Sequence, residues 1–162
     1  SHQIVQRDHI PEHLEQSYGG QPWYGDSIVA KINTISAETA FLQTSPGVHS
    51  IAEILAHMIV WRKAAIEWLR GNSQHNVTLN SKDDWPPYET LQETGWEELK
   101  QQFADTQTQL ISLLRGKTDE ILPQPYSKKP YTFQLLLEGI VQHDVYHLGQ
   151  IGVLVRMAAR TR

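Results

Sequence analysis

A chain of 162 residues, 40% of them hydrophobic and 20% charged, is long enough for one domain with its own core and lacks the composition of a disordered segment. The net charge of −4 argues against nucleic acid as the main partner, because phosphate binding needs a clustered basic surface. No apolar run reaches the roughly 18 residues that a membrane span needs, and no secretion signal opens the chain. We therefore expect a single domain over residues 1–162, located in the cytoplasm.

The first part of the chain predicts a helix followed by a shorter helical segment. Residues 3–18 carry a sparse apolar stripe that is interrupted near Pro11, and residues 28–35 carry isoleucines spaced four and three apart. His9 and His13 stand four apart, but they lie beside a proline, among acidic residues and near a chain end. This setting predicts a solvated face and not a ligand site.

The clearest helix start in the sequence lies at Ser50. Ser50 and Glu53 have the spacing of a capping box, in which the serine oxygen accepts from the glutamate amide and the glutamate carboxylate accepts from the serine amide. The predicted helix runs to Arg70, and Gly71 provides its C-terminal stop.

A long connection, residues 72–94, follows this helix. Its length predicts a crossover that places the two flanking helices parallel. Thr94 and Glu97 have the spacing of a second capping box, which opens a helix that ends at Gly116. A proline-rich segment, residues 122–130, then leads into the last helix.

The last predicted helix, residues 132–157, carries two histidines on one face. His143 and His147 are four residues apart, so their side chains stand one above the other on a helix, within a stripe that is apolar at both ends. Neutral imidazole nitrogens are ordinary zinc ligands at about 2.0–2.1 Å, but this spacing alone is a weak signal and needs a third ligand from another segment.

A third inward histidine lies on the helix that begins at Ser50. His57 lies on the same side as the apolar stripe of that helix, where a regular backbone can hold it rigidly. His49 lies just outside the cap and His75 lies in the following loop, so both are poorer ligands. With four main helices and no convincing strand, the sequence predicts an all-α fold, a four-helix bundle with a metal site at His57, His143 and His147.

Two motifs resemble the DinB-like (YfiT-like, damage-inducible) superfamily. They are His-Ser-Ile-Ala-Glu-Ile-Leu-Ala-His at residues 49–57, followed by Trp61, and Gly-Ile-Val-Gln-His-Asp-Val-Tyr-His-Leu-Gly-Gln-Ile at residues 139–151. Residues 22–25 and 84–86 are similar to the same group. The resemblance implies an up-down-down-up four-helix bundle, often a homodimer, with a three-histidine site for zinc, nickel or a similar ion. Assigned activities in the superfamily include thiol-dependent S-transferases and isomerases that use bacillithiol, mycothiol or glutathione.

The chemistry of such a site follows from its ligand count. A divalent ion bound by three imidazoles keeps open coordination positions, which is typical of a catalytic site. Zinc or nickel is the expected ion, and iron and manganese are the alternatives. A metal acidifies bound water or thiol and so provides a nucleophile near neutral pH. Because the chain has no cysteine, any sulfur nucleophile must be a small-molecule thiol.

Four further residues are candidates for catalytic or orienting roles. Gln150, Tyr146 and Asp144 lie near the two histidines of the last helix, although an inter-helix salt bridge explains Asp144 equally well. Glu53 is a candidate general base whose capping role is the better explanation. The first hypothesis is a metal-dependent S-transferase or hydrolase acting on a small molecule, and the alternative is a non-catalytic metal-binding or stress-response module.

Overall fold

The computed structural model describes residues 6–160, with side chains from residue 9 onward, and these residues are organised as helices. Within that range there is no β-strand, only an isolated bridge between Pro125 and Thr132 and a 3-10 turn at Asp119–Ile121. The α-helices are α1 (Gln6–Gly19), α2 (Ile28–Ile32), α3 (Ala37–Ala40), α4 (Ile51–Leu69), α5 (Tyr88–Thr94), α6 (Trp96–Arg115) and α7 (Phe133–Arg160). The predicted all-α class is confirmed. None of the helices described is long and apolar enough to cross a membrane.

Helix α4 begins and ends where the sequence predicts. The hydroxyl of Ser50 accepts from the backbone N–H of Glu53 at 3.2 Å, and the carboxylate of Glu53 accepts from the backbone N–H of Ser50 at 3.0 Å. The chain leaves the helix through Gly71, whose φ of 94° lies in the left-handed region that glycine adopts without strain.

The second predicted capping box is wrong. Thr94 is the last residue of α5, and its hydroxyl donates to the carbonyl of Thr90 at 3.1 Å. The residue before α6 is Gly95, with φ 87° and no side-chain cap. A positive φ turns the chain sharply between two helices, so Thr94 cannot reach the first turn of α6. The connection after α4 therefore contains a helix of its own, α5, in its last third.

The predicted interruption near Pro11 is also wrong, since α1 continues through this residue. A proline removes one N–H bond to the residue four positions before it, and Pro11 is only the sixth residue of the helix. Ile10 and Leu14, on either side of it, are buried in one apolar cluster with residues of α4, α6 and α7. The apolar burial of these two side chains offsets the lost hydrogen bond.

Two apolar clusters form the core. The first core cluster combines residues of α2 and α5 with those of three long helices, Ile51, Ala52, Ile54, Leu55, Ala56, Met58 and Ile59 of α4, Trp96, Leu99 and Phe103 of α6, and Leu148, Ile151 and Leu154 of α7. The second core cluster includes Ile10 and Leu14 of α1, Ala64, Ala65, Ile66, Trp68 and Leu69 of α4, Leu110, Ile111 and Leu114 of α6, and Leu136, Leu137 and Ile140 of α7. Along the chain, α4 and α6 pass from the first cluster to the second, whereas α7 passes from the second to the first.

A layer of buried polar side chains separates the two clusters, and we call it the polar layer. Each of three long helices contributes to it, and all members except His57 lie where the apolar stripe of their helix changes cluster. The members are His57 and Arg62 of α4, Thr106 and Gln107 of α6, and Asp144 and His147 of α7. Buried polar groups need partners, so this layer is where the helices must be matched in register.

Loss of the hydroxyl at Ser50 and at Thr94 should affect stability differently. Ser50→Ala removes the oxygen that caps α4 and should lower the free energy of unfolding by about 1 kcal/mol. Thr94→Ala removes a hydroxyl that caps no helix and should change it by less than about 0.5 kcal/mol. Urea denaturation of the two variants measures both, and an equal loss in each would contradict the assignment of the caps.

Candidate metal centre

One ring nitrogen from each of three histidines lies in the space between α4 and α7. Nε2 of His143 is 3.1 Å from Nε2 of His57 and 3.1 Å from Nε2 of His147. All three nitrogens lie within 4.8 Å of one another. The structure thus brings together the three histidines that the sequence predicts as ligands.

The separations between these nitrogens fit a shared ion. Two nitrogens that each lie about 2.0–2.1 Å from one ion are about 2.8–3.4 Å apart at octahedral or tetrahedral angles. Both measured separations from His143 fall in this range. The three histidines form a group that could hold a metal ion.

The other ring nitrogen of His57 is held by a loop residue. Nδ1 of His57 lies 2.9 Å from Oδ1 of Asp84 and 3.1 Å from the carbonyl oxygen of the same residue. Both oxygens are acceptors, so Nδ1 carries the hydrogen and Nε2 keeps its lone pair. A carboxylate behind a histidine in this way fixes the tautomer and the orientation of a metal ligand.

Asp84 is itself held in place by its neighbours. The indole Nε1 of Trp61 donates to Oδ1 at 2.8 Å, and the backbone N–H of Asn80 donates to Oδ2 at 2.9 Å. The ring of Trp85 stacks on His57, with the centroids 3.8 Å apart and the planes 2° from parallel. The connection between α4 and α5 therefore closes over the site and restrains the ring of His57 from two sides.

On α7, the sequence neighbour Gln150 lies against His147. Its Oε1 accepts from Nδ1 of His147 at 2.7 Å, which leaves the lone pair of this histidine on Nε2 as well. Nδ1 of His143 is buried and has no partner among residues 6–160. Two of the three imidazoles are thus oriented by named acceptors, and the third is oriented by packing.

Burial favours the neutral form of His143 and His147. Burial, with the neighbouring rings of His147 and His57, lowers the pKa of His143 from 6.5 to about 3. Burial also lowers the pKa of His147, and the hydrogen bond with Gln150 opposes that effect. The neutral form is the one that binds a metal, so at neutral pH neither residue needs to lose a proton first.

Asp144, a candidate from the sequence, forms an ion pair between helices. Its Oδ2 accepts from Nη2 of Arg62 at 2.7 Å and from Nε at 3.0 Å, and both side chains are completely buried. Arg62 also donates to Gln107 at 2.9 Å and lies 4.2 Å above the ring of Phe103. The carboxylate therefore faces the polar layer, where it ties α7 to α4 and, through Arg62, to α6.

The other two candidates lie at the edge of the site. Glu53 forms the capping box, and its Oε2 also lies 3.0 Å from Nδ1 of His49. The ring of His49 stacks on the face of Trp85 opposite His57, at 3.9 Å. Tyr146 is 65% exposed, and its ring meets His147 edge-on at 5.0 Å.

Two cavities reach the histidine cluster from different sides. The first, of about 520 Å³, is lined by His147, Gln150, Tyr146 and His49 together with apolar side chains that include Met157. The second, of about 390 Å³, is lined by His57 and His143 and by Trp61, Leu79, Asp84, Tyr126, Leu135, Leu136, Gly139 and Ile140. Small molecules can therefore approach the site from either side.

The other histidines from residue 9 onward do not join the cluster. His9 and His13 are exposed on α1, as their setting predicts. His75 packs edge-on against Trp68, which donates to its carbonyl oxygen at 2.9 Å. The helical spacing of four is shared by both histidine pairs, but only the α7 pair faces the inside of the fold.

The comparison with protein families agrees with the motifs. A family model described as the DinB superfamily matches residues 26–151. The chain belongs to the DinB superfamily. A comparison of this DinB chain with curated proteins finds no match. Helix α4 lies within the matched range, and α7 begins within it and extends beyond its end.

Residue spacing alone did not predict three residues around this DinB site, namely Arg62, Asp84 and Trp85. Asp84 and Trp85 lie in a connection without periodicity, so only the similarity of residues 84–86 to the superfamily pointed to them. Arg62 did leave a signal, because it follows Met58 by four residues and precedes Ala65 by three on an otherwise apolar stripe. A charge at such a position indicates a buried partner on another helix.

The buried ion pair predicts a strong effect on stability. In chelator-treated DinB protein, Asp144→Ala should lower the free energy of unfolding by about 3–5 kcal/mol, because it leaves the guanidinium of Arg62 buried without its counter-charge. Arg62→Met combined with Asp144→Leu should recover most of the loss. Denaturant unfolding measures each variant.

The exposed pair of Asp26 and Lys31, 3.3 Å apart, is the matched control. Asp26→Ala should change the free energy of unfolding by less than about 1 kcal/mol, since surface pairs contribute little. If Asp144→Ala is no more destabilising than Asp26→Ala, the polar layer does not depend on the ion pair.

Proposed function

We propose that this DinB chain binds one divalent metal ion through His57, His143 and His147 and uses it in a reaction on a small molecule. Zinc or nickel is the expected ion, and iron or manganese are the alternatives. The reaction that we favour is S-transfer with a small-molecule thiol or hydrolysis. The single observation that carries the proposal is the convergence of three imidazole Nε2 atoms in one buried place.

The tautomers make this convergence informative. Because acceptors hold the Nδ1 hydrogens of His57 and His147, both Nε2 lone pairs point toward Nε2 of His143. Lone pairs that face each other at hydrogen-bond distance repel unless a cation or a proton lies between them. His143 has one Nε2 hydrogen at most to share between two acceptors, whereas a metal ion satisfies all three rings.

A metal held by three imidazoles has positions left for substrate, which supports an enzyme over a structural site. Such an ion supplies a Lewis acid that lowers the pKa of a bound nucleophile. Since the chain contains no cysteine, a sulfur nucleophile has to enter as a small thiol. The two cavities that reach the histidines from opposite sides are consistent with two small reactants.

A proton acceptor beside the metal also supports catalysis. His49 lines the same cavity as His147, and Glu53 orients its ring through Nδ1. Nε2 of His49 makes no hydrogen bond to any residue that the structure describes, and the side chain is 46% exposed. A histidine oriented by a carboxylate, with its second nitrogen free, is suited to take a proton from water or a thiol in that cavity.

The alternative is a metal-binding or stress-response module without turnover. The contacts of both acidic candidates favour this alternative. Asp144 forms an ion pair with Arg62, and Glu53 caps the first turn of α4. Neither carboxylate is free to act as a base at the metal. The role of His49 therefore decides between the two hypotheses.

We propose in addition a helix order and a dimer surface for this chain. The passage of α4 and α6 from the first core cluster to the second, opposite to α7, supports an up-down-down-up bundle with a crossover between α4 and α6. The exposed face of α7, where Tyr146 and Val153 flank Gly149, is the surface on which we expect a homodimer to form. A location in the cytoplasm stays a prediction.

The first test of this proposal is metal content. Protein prepared without chelator and freed of any affinity tag should carry about one divalent ion per chain by elemental analysis. Alanine at His57, His143 or His147 should each lower the occupancy strongly, because a three-ligand site has little redundancy. The matched control is His9→Ala with His13→Ala, a pair of the same spacing on an exposed face, which should leave the occupancy unchanged. Equal metal content in all variants would refute the ligand set.

The second test separates an enzyme from a binding module. Metal-loaded protein is screened with several small thiols and electrophiles and with hydrolysable esters, and turnover that a chelator abolishes is expected. His49→Phe keeps an aromatic ring against Trp85 but removes the proton acceptor, so it should lower kcat by about 10²-fold or more at unchanged metal content. Absence of chelator-sensitive turnover in the whole screen would favour the non-catalytic module.

A further inference from the structure

A short hairpin places two lysines beside the second cavity. The backbone N–H of Tyr126 donates to the carbonyl of Tyr131 at 3.2 Å, and Pro125 and Thr132 form the bridge at its base. Lys128 and Lys129 lie at the tip, and both are exposed. The proline-rich segment before α7 is therefore an ordered projection that holds two positive charges in a defined place.

Beneath this tip lies a further cavity of about 490 Å³ with aromatic walls. Its lining includes Trp61, Trp68, Tyr126 and Tyr131 together with both lysines. The indole of Trp68 is fixed by the carbonyl of His75 and lies 4.7 Å from the ring of Tyr126. Rigid aromatic walls of this kind bind flat apolar groups by contact area without a large loss of side-chain freedom.

The cavity under the hairpin adjoins the cavity at the histidine cluster. It shares Trp61, Leu79 and Tyr126 with the cavity that is lined by His57 and His143. We call the two together the aromatic groove. Each has a volume within the range of small-molecule sites, about 300–1,000 Å³. A ligand that occupies the aromatic groove has one end at the lysines and the other at the histidine cluster.

The charge of the aromatic groove is opposite to that of the chain. The chain has a net charge of −4, yet the groove has one carboxylate in its lining, that of Asp84. Its two oxygens already accept from His57, Trp61 and the backbone of Asn80. Lys128 and Lys129 make no ion pair with any residue from 9 to 160, so their charge is available to a ligand. A cleft lined by one sign of charge attracts the opposite sign.

We propose that the aromatic groove binds a small anion with a flat apolar body. Its anionic group pairs with Lys128 and Lys129, its body packs against the aromatic wall that Trp68 and Tyr126 form together, and its far end points toward His57 and His143. This inference rests on the proposed function for the statement that the far end is the reacting one. The binding of the anion and its body requires only the lysines and the aromatic walls.

The probes are 2-naphthoate and its neutral analogue 2-naphthalenemethanol, which have the same flat body. Binding is followed by nuclear magnetic resonance of the five indole N–H signals. Naphthoate should shift the signals of Trp61 and Trp68 and leave those of Trp23 and Trp96 in place, and its Kd should be at least about tenfold lower than that of the alcohol. Added salt should weaken the naphthoate complex and not the alcohol complex, as expected for a charge interaction.

Lys128→Ala with Lys129→Ala should remove the preference for naphthoate, whereas Lys63→Ala with Lys117→Ala, two lysines outside the groove, should keep it. The inference is overturned if the shifts occur at Trp23 or Trp96, if both probes bind equally, or if the two double variants behave alike. Each titration is repeated with chelator-treated protein and with His143→Ala, for which the preference should persist. If protein prepared without chelator carries no metal but still prefers naphthoate, the proposed function alone is wrong. If that protein carries metal but lacks the preference, this inference alone is wrong.

Discussion

The burial of charge between two apolar clusters is the constraint on which the rest of the structure depends. Arg62 and Asp144 are both withdrawn from water, so each requires the other, and the guanidinium also requires Gln107. These contacts are satisfied only when α4, α6 and α7 have one relative register. The same register places His57 of α4 opposite His143 of α7, because each lies within one or two turns of its charged neighbour. The ion pair thus helps to position the three-histidine cluster from the neighbouring polar layer.

The histidine cluster needs a second component that the long helices do not provide. Helices bring three imidazoles together, but the connection after α4 decides how the ring of His57 is turned, since Asp84 holds Nδ1 and Trp85 covers one face. The opposite face of Trp85 carries His49. One loop therefore links His57, a proposed metal ligand, to the residue that we propose as proton acceptor, and this contact gives the long connection a reason.

The periodicity of apolar residues predicted the site residues that lie on regular helices. It predicted few of those that lie in loops. The inward stripes of α4 and α7 were sufficient to find His57, His143 and His147, because a side chain's direction on a helix follows from its number. Asp84 lies in irregular backbone, where residue spacing carries no direction, so the structure was needed to place it behind His57. The capping pattern at Thr94 was misleading because the positive φ of Gly95, which ends one helix and starts another, is not visible in residue types alone. Arg62 and Asp144 could have been paired from the sequence as two charges on inward stripes.

We propose that three neutral imidazoles bind one metal ion. X-ray absorption spectroscopy of the metal-loaded protein measures this coordination. The scattering pattern of imidazole rings reports their number and their distance from the ion. For zinc we expect three histidine nitrogens at about 2.0–2.1 Å, with the remaining ligands light atoms from solvent. A spectrum with one imidazole or none, or with a first shell made of oxygen atoms alone, would contradict this proposal.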